Sequence, residues 1–312
     1  MTDRNHFEVI ILGGSYSGLA AGMALGRALR RVLVLDHGMP CNRQTPFSHN
    51  FLTNDGKTPK EIATAARQEV EKYETVRFQQ GLAINGMKTP QGFQIQTSSG
   101  EIFRADRLVF ATGIKDLMPK LEGFAECWGI SVLHCPYCHG YEVRNQPTGI
   151  LGNGEYGFDF SVLLSNWTKN LTLYTNGKST LTPEQASLLE KHHIQVHEKP
   201  IKKLAHDQGQ LHSICFEDGS SMACGALYAK LPFEQNCTIP EALGCELTAE
   251  GYIRVDAFQK TSVPGIYACG DNTTTKRTVA NAVAMGTTAG ISLNKEIVLE
   301  RFAGTVGGPT TI

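Results

Sequence analysis

The sequence has almost no excess of charge of either sign. Its 312 residues include 29 Lys and Arg against 30 Asp and Glu, so the formal net charge is -1. Nucleic-acid-binding proteins carry a clear excess of positive charge, and anionic membranes attract clusters of basic residues. The composition therefore predicts that neither a nucleic acid nor a membrane is a partner of this chain.

Long apolar runs and low-complexity segments are also missing. No run approaches the roughly 18 apolar residues that a helix needs to cross a bilayer. The short apolar run 9–12 is interrupted upstream by Asp3 and Glu8 and followed at once by glycines, so it does not read as an export signal. We therefore expect a cytoplasmic, reducing environment, in which the nine cysteines are free thiols unless they do redox or metal chemistry.

Glycine is more abundant than usual, and several glycines directly follow short apolar strands. Residues 7–12 form a β-branched run, a glycine turn follows, and residues 19–29 repeat Ala and Leu at helical spacing. Such a turn lets backbone N–H groups at the start of a helix approach a pyrophosphate. The glycine turn consists of Gly13, Gly14, Ser15 and Gly18.

A carboxylate follows the next apolar strand, residues 31–35. Asp36 lies 23 positions beyond Gly13, near the spacing of about 20 at which an acid binds the ribose of a dinucleotide. The pattern predicts a dinucleotide site, although a tight turn without a ligand would look the same. Two further apolar strands end in turns that we expect at the same edge of the sheet, because ligands bind at the carboxyl ends of parallel strands. Those turns contain Ala111, Thr112 and Gly113, and Gly270 and Asp271.

A second strand, glycine turn, helix and strand occupy residues 148–174. The turn carries Gly152, Gly154 and Gly157 in the G-x-G-x-x-G spacing of dinucleotide folds, with the predicted helix at 158–167. Residues 175–178 contain neither an acid for a ribose nor an arginine for a 2′-phosphate, and Tyr156 puts a bulky ring inside the turn. The sequence leaves open whether this unit binds a nucleotide or is a relic of the fold.

The order of these units predicts an inserted domain. The strand 264–271 and a helix at 279–293 return to the first unit after the second has been completed. We therefore predict an α/β fold of two Rossmann-like three-layer domains, the second inserted in the first. The predicted bounds are 1–116 and 238–312 for the first domain and 117–237 for the inserted one.

Two cysteines stand three apart in the segment Cys135-Pro136-Tyr137-Cys138. If Pro136 opens a helix, both sulfurs lie at the positive end of its dipole, and their thiolates are favoured. The pKa of thiols in such motifs spans roughly 3.5 to 7.5, against about 8.5 for a free cysteine. Since His134 and His139 flank the pair and could move protons, the segment predicts a redox-active disulfide.

Three other interpretations of this segment compete. Cys135 to His139 matches the C-x-x-C-H pattern of haem attachment, but that chemistry accompanies export and leaves two dinucleotide folds unexplained. A zinc site needs four separated ligands, and no second paired cluster exists in the sequence. The third is a structural pair of buried thiols. We favour the redox pair and predict no metal ion.

Together these motifs resemble the low-molecular-weight thioredoxin reductases over nearly the whole chain. Within that superfamily, residues 135–142, the segment 49–52 followed by Asp55-Gly56, and residues 174–177 look more like the gliotoxin-oxidase branch, which oxidises small dithiols with oxygen. The resemblance implies a homodimer that binds FAD. It places the FAD contacts at Gly13, Gly14, Ser15, Gly18, Asp36, Asn50, Ala111, Thr112, Gly113, Gly270, Asp271, Thr278 and Val279.

The resemblance also implies roles for the cysteine pair and for a second nucleotide. Cys138 would face the flavin, Cys135 would exchange with substrate, and His139, in place of the family's aspartate, would carry protons. An ordinary imidazole titrates near pH 6.5, so the expected pH dependence lies between roughly 6 and 8. NAD(P)H would bind at Gly152, Gly154 and Gly157, but the family's paired arginines are absent after residue 174.

The function implied by this resemblance is an FAD-dependent thiol/disulfide oxidoreductase. It would pass electrons between flavin, the Cys135–Cys138 pair and the disulfide of a thioredoxin-like protein or a small molecule. An oxygen-dependent dithiol oxidase that forms hydrogen peroxide is one alternative. A non-catalytic flavin redox sensor is another, and sustained turnover would exclude it.

Overall fold

A computed structural model describes residues 5–306 of the chain. They form two compact units: one holds the described residues of Met1–Arg43, Lys60–Lys115 and Glu234–Ile312, the other Gln44–Pro59 and Asp116–Phe233. The α/β fold with an inserted second unit was predicted from the sequence. The assignment of residues 44–59 to the second unit was not, because it depends on contacts with residues far along the chain, such as that of the Gln44 side chain with the carbonyl of Trp128.

The first unit is built around one sheet. Elements are numbered along the whole chain, and those of this unit are β1 (His6–Leu12), α1 (Tyr16–Arg27), β2 (Val32–Asp36), α2 (Pro59–Val70), β3 (Val76–Gln80), β4 (Ala83–Thr89), β5 (Gly92–Thr97), β6 (Ile102–Phe110), α7 (Ile239–Ala242), β17 (Ile266–Ala268) and α8 (Val279–Val306). The sheet order is β3-β2-β1-β6-β5-β4, and β17 also pairs with β6. β3, β2, β1, β6 and β17 are parallel, whereas β5 and β4 form an antiparallel extension.

The central strand β1 contributes side chains to two hydrophobic cores, one on each face of the sheet. Ile10 and Leu12 belong to the cluster on one face, Val9 and Ile11 to the cluster on the other, and all four are buried. Because side chains alternate across a strand, a continuous apolar run is what a strand covered on both faces requires. This explains why β1 reads as an uninterrupted β-branched segment.

The last helix of the unit, α8, is longer than its predicted range of 279–293. Its extra turns carry Glu296 and Glu300, which both pair with Arg107, and Glu296 also accepts a hydrogen bond from the Tyr267 hydroxyl at 3.1 Å. These tertiary contacts stabilise the turns beyond residue 293. The helix packs closely on α1, since a Cβ at Gly290 would lie 2.7 Å from the Cβ of Ala24.

α1 ends in a Schellman-type turn with an unusual residue at its left-handed position. Leu29, at φ 60, donates its N–H to the carbonyl of Gly26, Arg30 donates to that of Leu25, and the Leu29 side chain is 79% exposed. An L-residue in this conformation costs about 1–2 kcal/mol. Leu29→Gly is therefore expected to raise the free energy of unfolding by about 0.5–1 kcal/mol, part of the gain being offset by the flexibility of glycine in the unfolded chain.

The measurement is urea unfolding of the parent protein and the Leu29→Gly variant, followed by circular dichroism. Leu29→Ala is the matched control, because it removes the exposed side chain but keeps the Cβ, and it should leave the midpoint unchanged. A Leu29→Gly variant that is no more stable than the alanine variant would show that the turn is not strained.

The second unit has a parallel sheet beside a smaller antiparallel one. Its elements are α3 (Phe124–Cys127), β8 (Val132–Leu133), α4 (Pro136–His139), β9 (Thr148–Leu151), α5 (Gly154–Leu164), β10 (Leu171–Tyr174), α6 (Pro183–Lys191), β11 (Gln195–His197), β12 (Ile201–Asp207), β13 (Gln210–Phe216), β14 (Ser221–Ala223) and β15 (Ala226–Ala229). The parallel order is β11-β10-β9-β15-β8, and β12-β13-β14 form the antiparallel sheet.

The chain passes between the two units through two short strands that pair with each other, β7 (Ile114–Asp116) and β16 (Phe233–Gln235). The predicted crossings at 116/117 and 237/238 lie within a few residues of these strands. Within residues 5–306, no helix is both long and apolar enough to cross a bilayer.

Candidate active site

The glycine turn of the first unit is closed by backbone contacts that leave no room for side chains. Gly13 has φ 104, and a Cβ there would lie 2.2 Å from the carbonyl oxygen of Ala111; a Cβ at Gly18 would lie 1.8 Å from the carbonyl oxygen of Gly13. Ser15 is the N-cap of α1, and its side chain makes no capping hydrogen bond. The turn thus brings the end of β1 and the end of β6 against the start of a helix.

Asp36 at the end of β2 joins this turn. Its Oδ1 accepts the N–H of Gly14 at 3.0 Å, and its Oδ2 accepts the N–H of Gly38 at 3.1 Å. A carboxylate offers about four acceptor positions, so two bonds leave capacity for ribose hydroxyls. Asp36 can therefore hold the turn and a ligand at once.

The ends of β6 and β17 are tied together by a residue that sequence reasoning missed. Asn272 is fully buried, and its Nδ2 donates to the Phe110 carbonyl at 2.9 Å and lies 3.4 Å from the hydroxyl of Thr112. Gly113 and Gly270 follow the two strands at φ 64 and 91. The only signal in the sequence for Asn272 is its position directly after Asp271.

Asp271 itself lies beside a guanidinium and a thiol. Its Oδ2 is 3.6 Å from Nε of Arg277 and 3.8 Å from Sγ of Cys41. Thr278 caps α8, its hydroxyl accepting the N–H of Asn281 at 3.2 Å, and Val279 is the first residue of that helix. Cys41 was missed because it stands 230 positions before Asp271 in the chain.

The first unit therefore brings together the predicted FAD contacts with the exception of Asn50. Asn50 lies in the second unit, where its N–H donates to Oδ1 of Asp55 at 2.7 Å. A dinucleotide with its pyrophosphate requires three features: glycines that let the backbone approach closely, a carboxylate beside the turn, and the N-terminus of a helix. The residues of this cradle fit such a cofactor.

The turn of the second unit has the same backbone plan and different surroundings. Gly152, Gly154 and Gly157 connect β9 to α5, which begins at Gly154 and not at the predicted residue 158. The earlier start follows from Asn153, whose side chain accepts the N–H of Gly154 and caps the helix. The side chains of Asn153 and Tyr156 pack in this turn.

The cysteine pair lies at the start of α4 as a disulfide. Cys135 is the N-cap, Pro136 is the first helical residue, as predicted, and the two Cα atoms are 5.3 Å apart. The backbone N–H of Cys138 points at Sγ of Cys135 at 3.2 Å. In the reduced pair the same N–H would stabilise a thiolate on Cys135.

The short helix α4 packs against the side chain of Trp167. A Cβ at Gly140 would lie 2.5 Å from the carbonyl of Pro136 and 2.8 Å from the Trp167 ring, and Tyr137 meets that ring edge-on with centroids 5.4 Å apart. Trp167 thus fixes the position of the pair. The ring of His134, the residue before Cys135, lies 5.9 Å from that of Trp128, measured between ring centroids.

The pKa of His139 is lower than that of the ordinary imidazole expected from the sequence. Burial, together with the nearby His49, lowers the pKa of His139 to about 4. The predicted pH dependence between roughly 6 and 8 is therefore wrong for this group, because the sequence could not show the desolvation. At neutral pH His139 is a neutral ring that can accept a proton.

His49 is a second histidine of the site that the sequence did not assign. Its Nδ1 lies 3.6 Å from a carboxylate oxygen of Asp55 and 3.6 Å from one of Glu142. The loop that carries it is closed by hydrogen bonds from the Ser48 N–H to the Lys57 carbonyl and from the Gly56 N–H to the Ser48 carbonyl. The signals in the sequence were an acid six residues after His49 and the place of His49 in the segment 49–52, which contributes to the family resemblance.

Two dinucleotide-type units, one of which carries a Cys-x-x-Cys disulfide beside an imidazole, define a disulfide oxidoreductase. The chain belongs to the pyridine nucleotide-disulphide oxidoreductase family, whose model matches residues 7–286. It is a thioredoxin reductase-like enzyme, which confirms the predicted class of function.

Relatives and solved structures cover almost the whole chain. The thioredoxin reductase tcpT of Claviceps purpurea is 30% identical over 96% of this chain and 97% of its own length. The crystal structure of HlmI matches with a TM-score of 0.91 and 31% identity, over 98% of this chain and 97% of that one. The putative thioredoxin reductase TrxB of Bacillus anthracis matches with a TM-score of 0.90 and 31% identity, over 95% and 100%.

Proposed function

We propose that this enzyme is an FAD-dependent thiol/disulfide oxidoreductase in which Cys135 and Cys138 exchange electrons with a dithiol or disulfide substrate. The observation that carries the proposal is the disulfide at the start of α4 with the neutral His139 directly after it. The glycine turn, Asp36 and Asp271 of the first unit would hold FAD, which when bound supplies two-electron chemistry to the pair.

The protein side of the reaction follows from thiol–disulfide exchange. In the oxidative direction a substrate thiolate attacks Cys135 and breaks the Cys135–Cys138 bond, which leaves a mixed disulfide and a thiolate on Cys138. The second substrate thiolate then attacks the substrate sulfur of that mixed disulfide and releases Cys135. The reductive direction uses the same bonds in reverse.

In the oxidative direction a substrate dithiol must lose its protons before it can attack. His139, whose ring is neutral at pH 7, can accept them, and its lowered pKa makes it a weak base in this role. Overall, the substrate dithiol and oxygen would give a disulfide and hydrogen peroxide. Tyr137 and Tyr141, both more than half exposed, offer apolar surface beside the pair to a small substrate. A thioredoxin-like protein is the alternative partner.

His139→Asn is expected to slow reduction of the flavin by a dithiol about 10²-fold at pH 7, the lower range for general acid–base catalysis. In the parent enzyme the rate should fall as the pH drops through about 4, because the lowered pKa of His139 keeps the ring neutral above that value. The variant should lose this inflection. Stopped-flow absorbance at the flavin band under anaerobic conditions measures both the rate of flavin reduction and its dependence on pH.

Two further variants make the test specific. His49→Asn should move the inflection above pH 4, because the positive potential of His49 helps to lower the pKa of His139. His134→Asn is the control and should keep both rate and profile. If His134→Asn is slow and His139→Asn is not, His134 carries the proton. If flavin is reduced once and oxygen sustains no turnover, the protein is a redox sensor.

We also propose that the enzyme works as a homodimer in the cytoplasm. One face of α8 exposes Ile291, Val298, Leu299 and Phe302, which recur at helical spacing and would be covered by a second copy. Of the cysteines outside the pair, all seven are free thiols, as a reducing compartment requires.

A further inference from the structure

The glycine turn of the second unit is occupied by the side chain of Asn153. Its Oδ1 accepts the N–H of Gly154 at 2.8 Å, the N–H of Thr180 at 2.8 Å and the hydroxyl of Thr180 at 3.1 Å. Its Nδ2 donates to the carbonyl of Lys178 at 2.9 Å. In a dinucleotide fold the first N–H groups of this helix point at a pyrophosphate, so Asn153 stands in for the ligand.

Tyr156 also packs against this turn. A Cβ at Gly152 would lie 2.9 Å from two carbons of the Tyr156 ring, so the ring packs on the glycine that a pyrophosphate would approach. The ring is held in place by Phe160, with centroids 5.4 Å apart, and burial raises the pKa of its hydroxyl. Moving this ring would expose apolar surface.

The loop after β10, where a ribose would lie, is satisfied by its own contacts. The Thr175 hydroxyl donates to the Gly177 carbonyl at 2.6 Å, Asn176 accepts the N–H of Ile201 at 2.7 Å, and the Ser179 N–H donates to Glu198 at 3.0 Å. The loop is thus bonded to the carboxylate of Glu198, whereas a 2′-phosphate is held by positive charge such as that of an arginine. The residues of this unit do not fit a nicotinamide dinucleotide.

We propose that the second unit of this enzyme binds neither NADPH nor NADH, and that Asn153 and Tyr156 are the side chains that close its turn. The unit acts as the rigid support of the cysteine pair. This inference rests on the proposed function, because electrons taken from a dithiol then leave to an acceptor that needs no nucleotide site. The acceptor is oxygen, which takes two electrons and two protons to become hydrogen peroxide.

An anaerobic titration of the holoenzyme separates the two proposals. Dithiothreitol should bleach the flavin band, whereas NADPH and NADH at equal concentration should bleach it at less than one-tenth of that rate. Bleaching by either nucleotide at the rate of dithiothreitol would overturn the inference and leave the proposed function standing. Failure of dithiothreitol to bleach would overturn the proposed function.

Nucleotide binding provides a readout that does not depend on activity. The holoenzyme should give no heat on titration with NADPH or NADH in a calorimeter, and saturable heat would contradict the inference. The double variant Asn153→Gly, Tyr156→Ser should gain affinity at least tenfold for one of the two. Val162→Ser, at an exposed position of the same helix α5, is the matched control and should gain none. Without a gain in the double variant, the exclusion is not due to these two side chains.

Discussion

Replacing Cys135 with serine is expected to abolish turnover, lowering kcat on the order of 10³-fold or more, because residues that act as one unit fail together. A serine hydroxyl cannot form the disulfide that joins Cys135 to Cys138. It also removes the sulfur toward which the N–H of Cys138 points. The flavin should remain bound, since its proposed cradle lies in the first unit, and oxygen consumption with a dithiol substrate measures the loss.

Cys138→Ser is the companion variant and should fail differently. It retains the outer thiol, so a disulfide substrate should accumulate as a mixed disulfide with Cys135 that intact-mass spectrometry detects. Cys215→Ser is the control, because Cys215 is a free cysteine on β13, outside both the cysteine pair and the proposed FAD cradle, and it should leave turnover intact. Accumulation of the adduct in Cys135→Ser instead would reverse the roles of the two cysteines.

Replacing Gly18 with alanine is expected to empty the proposed FAD site and destabilise the protein. The new Cβ would lie 1.8 Å from the carbonyl oxygen of Gly13, and neither backbone can move without opening the turn between β1 and α1. Overpacking of this kind costs about 1–3 kcal/mol, and the displaced turn should lose most of its flavin. The ratio of flavin to protein absorbance after gel filtration, together with the unfolding midpoint, gives both effects.

Gly22 of the same helix is the matched control. A Cβ there would meet Val34 and Val70 at 3.5 Å, which is ordinary contact, so Gly22→Ala should keep its flavin and gain up to about 1 kcal/mol from helix propensity. A Gly18→Ala variant that retains full flavin would contradict the position of the cofactor proposed here. Loss of flavin in both variants would mean that the helix as a whole, and not the turn, determines retention.

Local patterns in the sequence determined the elements that carry the chemistry. The apolar runs that became β1, β9 and β10 were predicted to within one residue, because a strand buried on both faces needs continuous apolar residues. The position of α4 followed from Pro136, whose fixed φ suits the first residue of a helix. Each of these constraints acts between neighbours along the chain, so the sequence alone contains it.

Tertiary contacts decided where elements end and which unit a segment joins. The last turns of α8 depend on ion pairs of Glu296 and Glu300 with Arg107, nearly two hundred positions away in the chain. The start of α5 depends on the side chain of Asn153, whose partner Thr180 follows a whole helix and strand later. Residues 44–59 join the second unit through contacts of the same long range.

The electrostatics of the site were also decided by the tertiary structure. The sequence showed a histidine after Cys138, but only the fold shows that burial and His49 lower its pKa to about 4. His49 lies near Glu142 although they are far apart in the chain. The glycine spacing of the second unit predicted a nucleotide fold, and the fold places Asn153 and Tyr156 inside its turn. Spacing determines the path of the backbone, whereas burial and side-chain contacts determine what that backbone can bind.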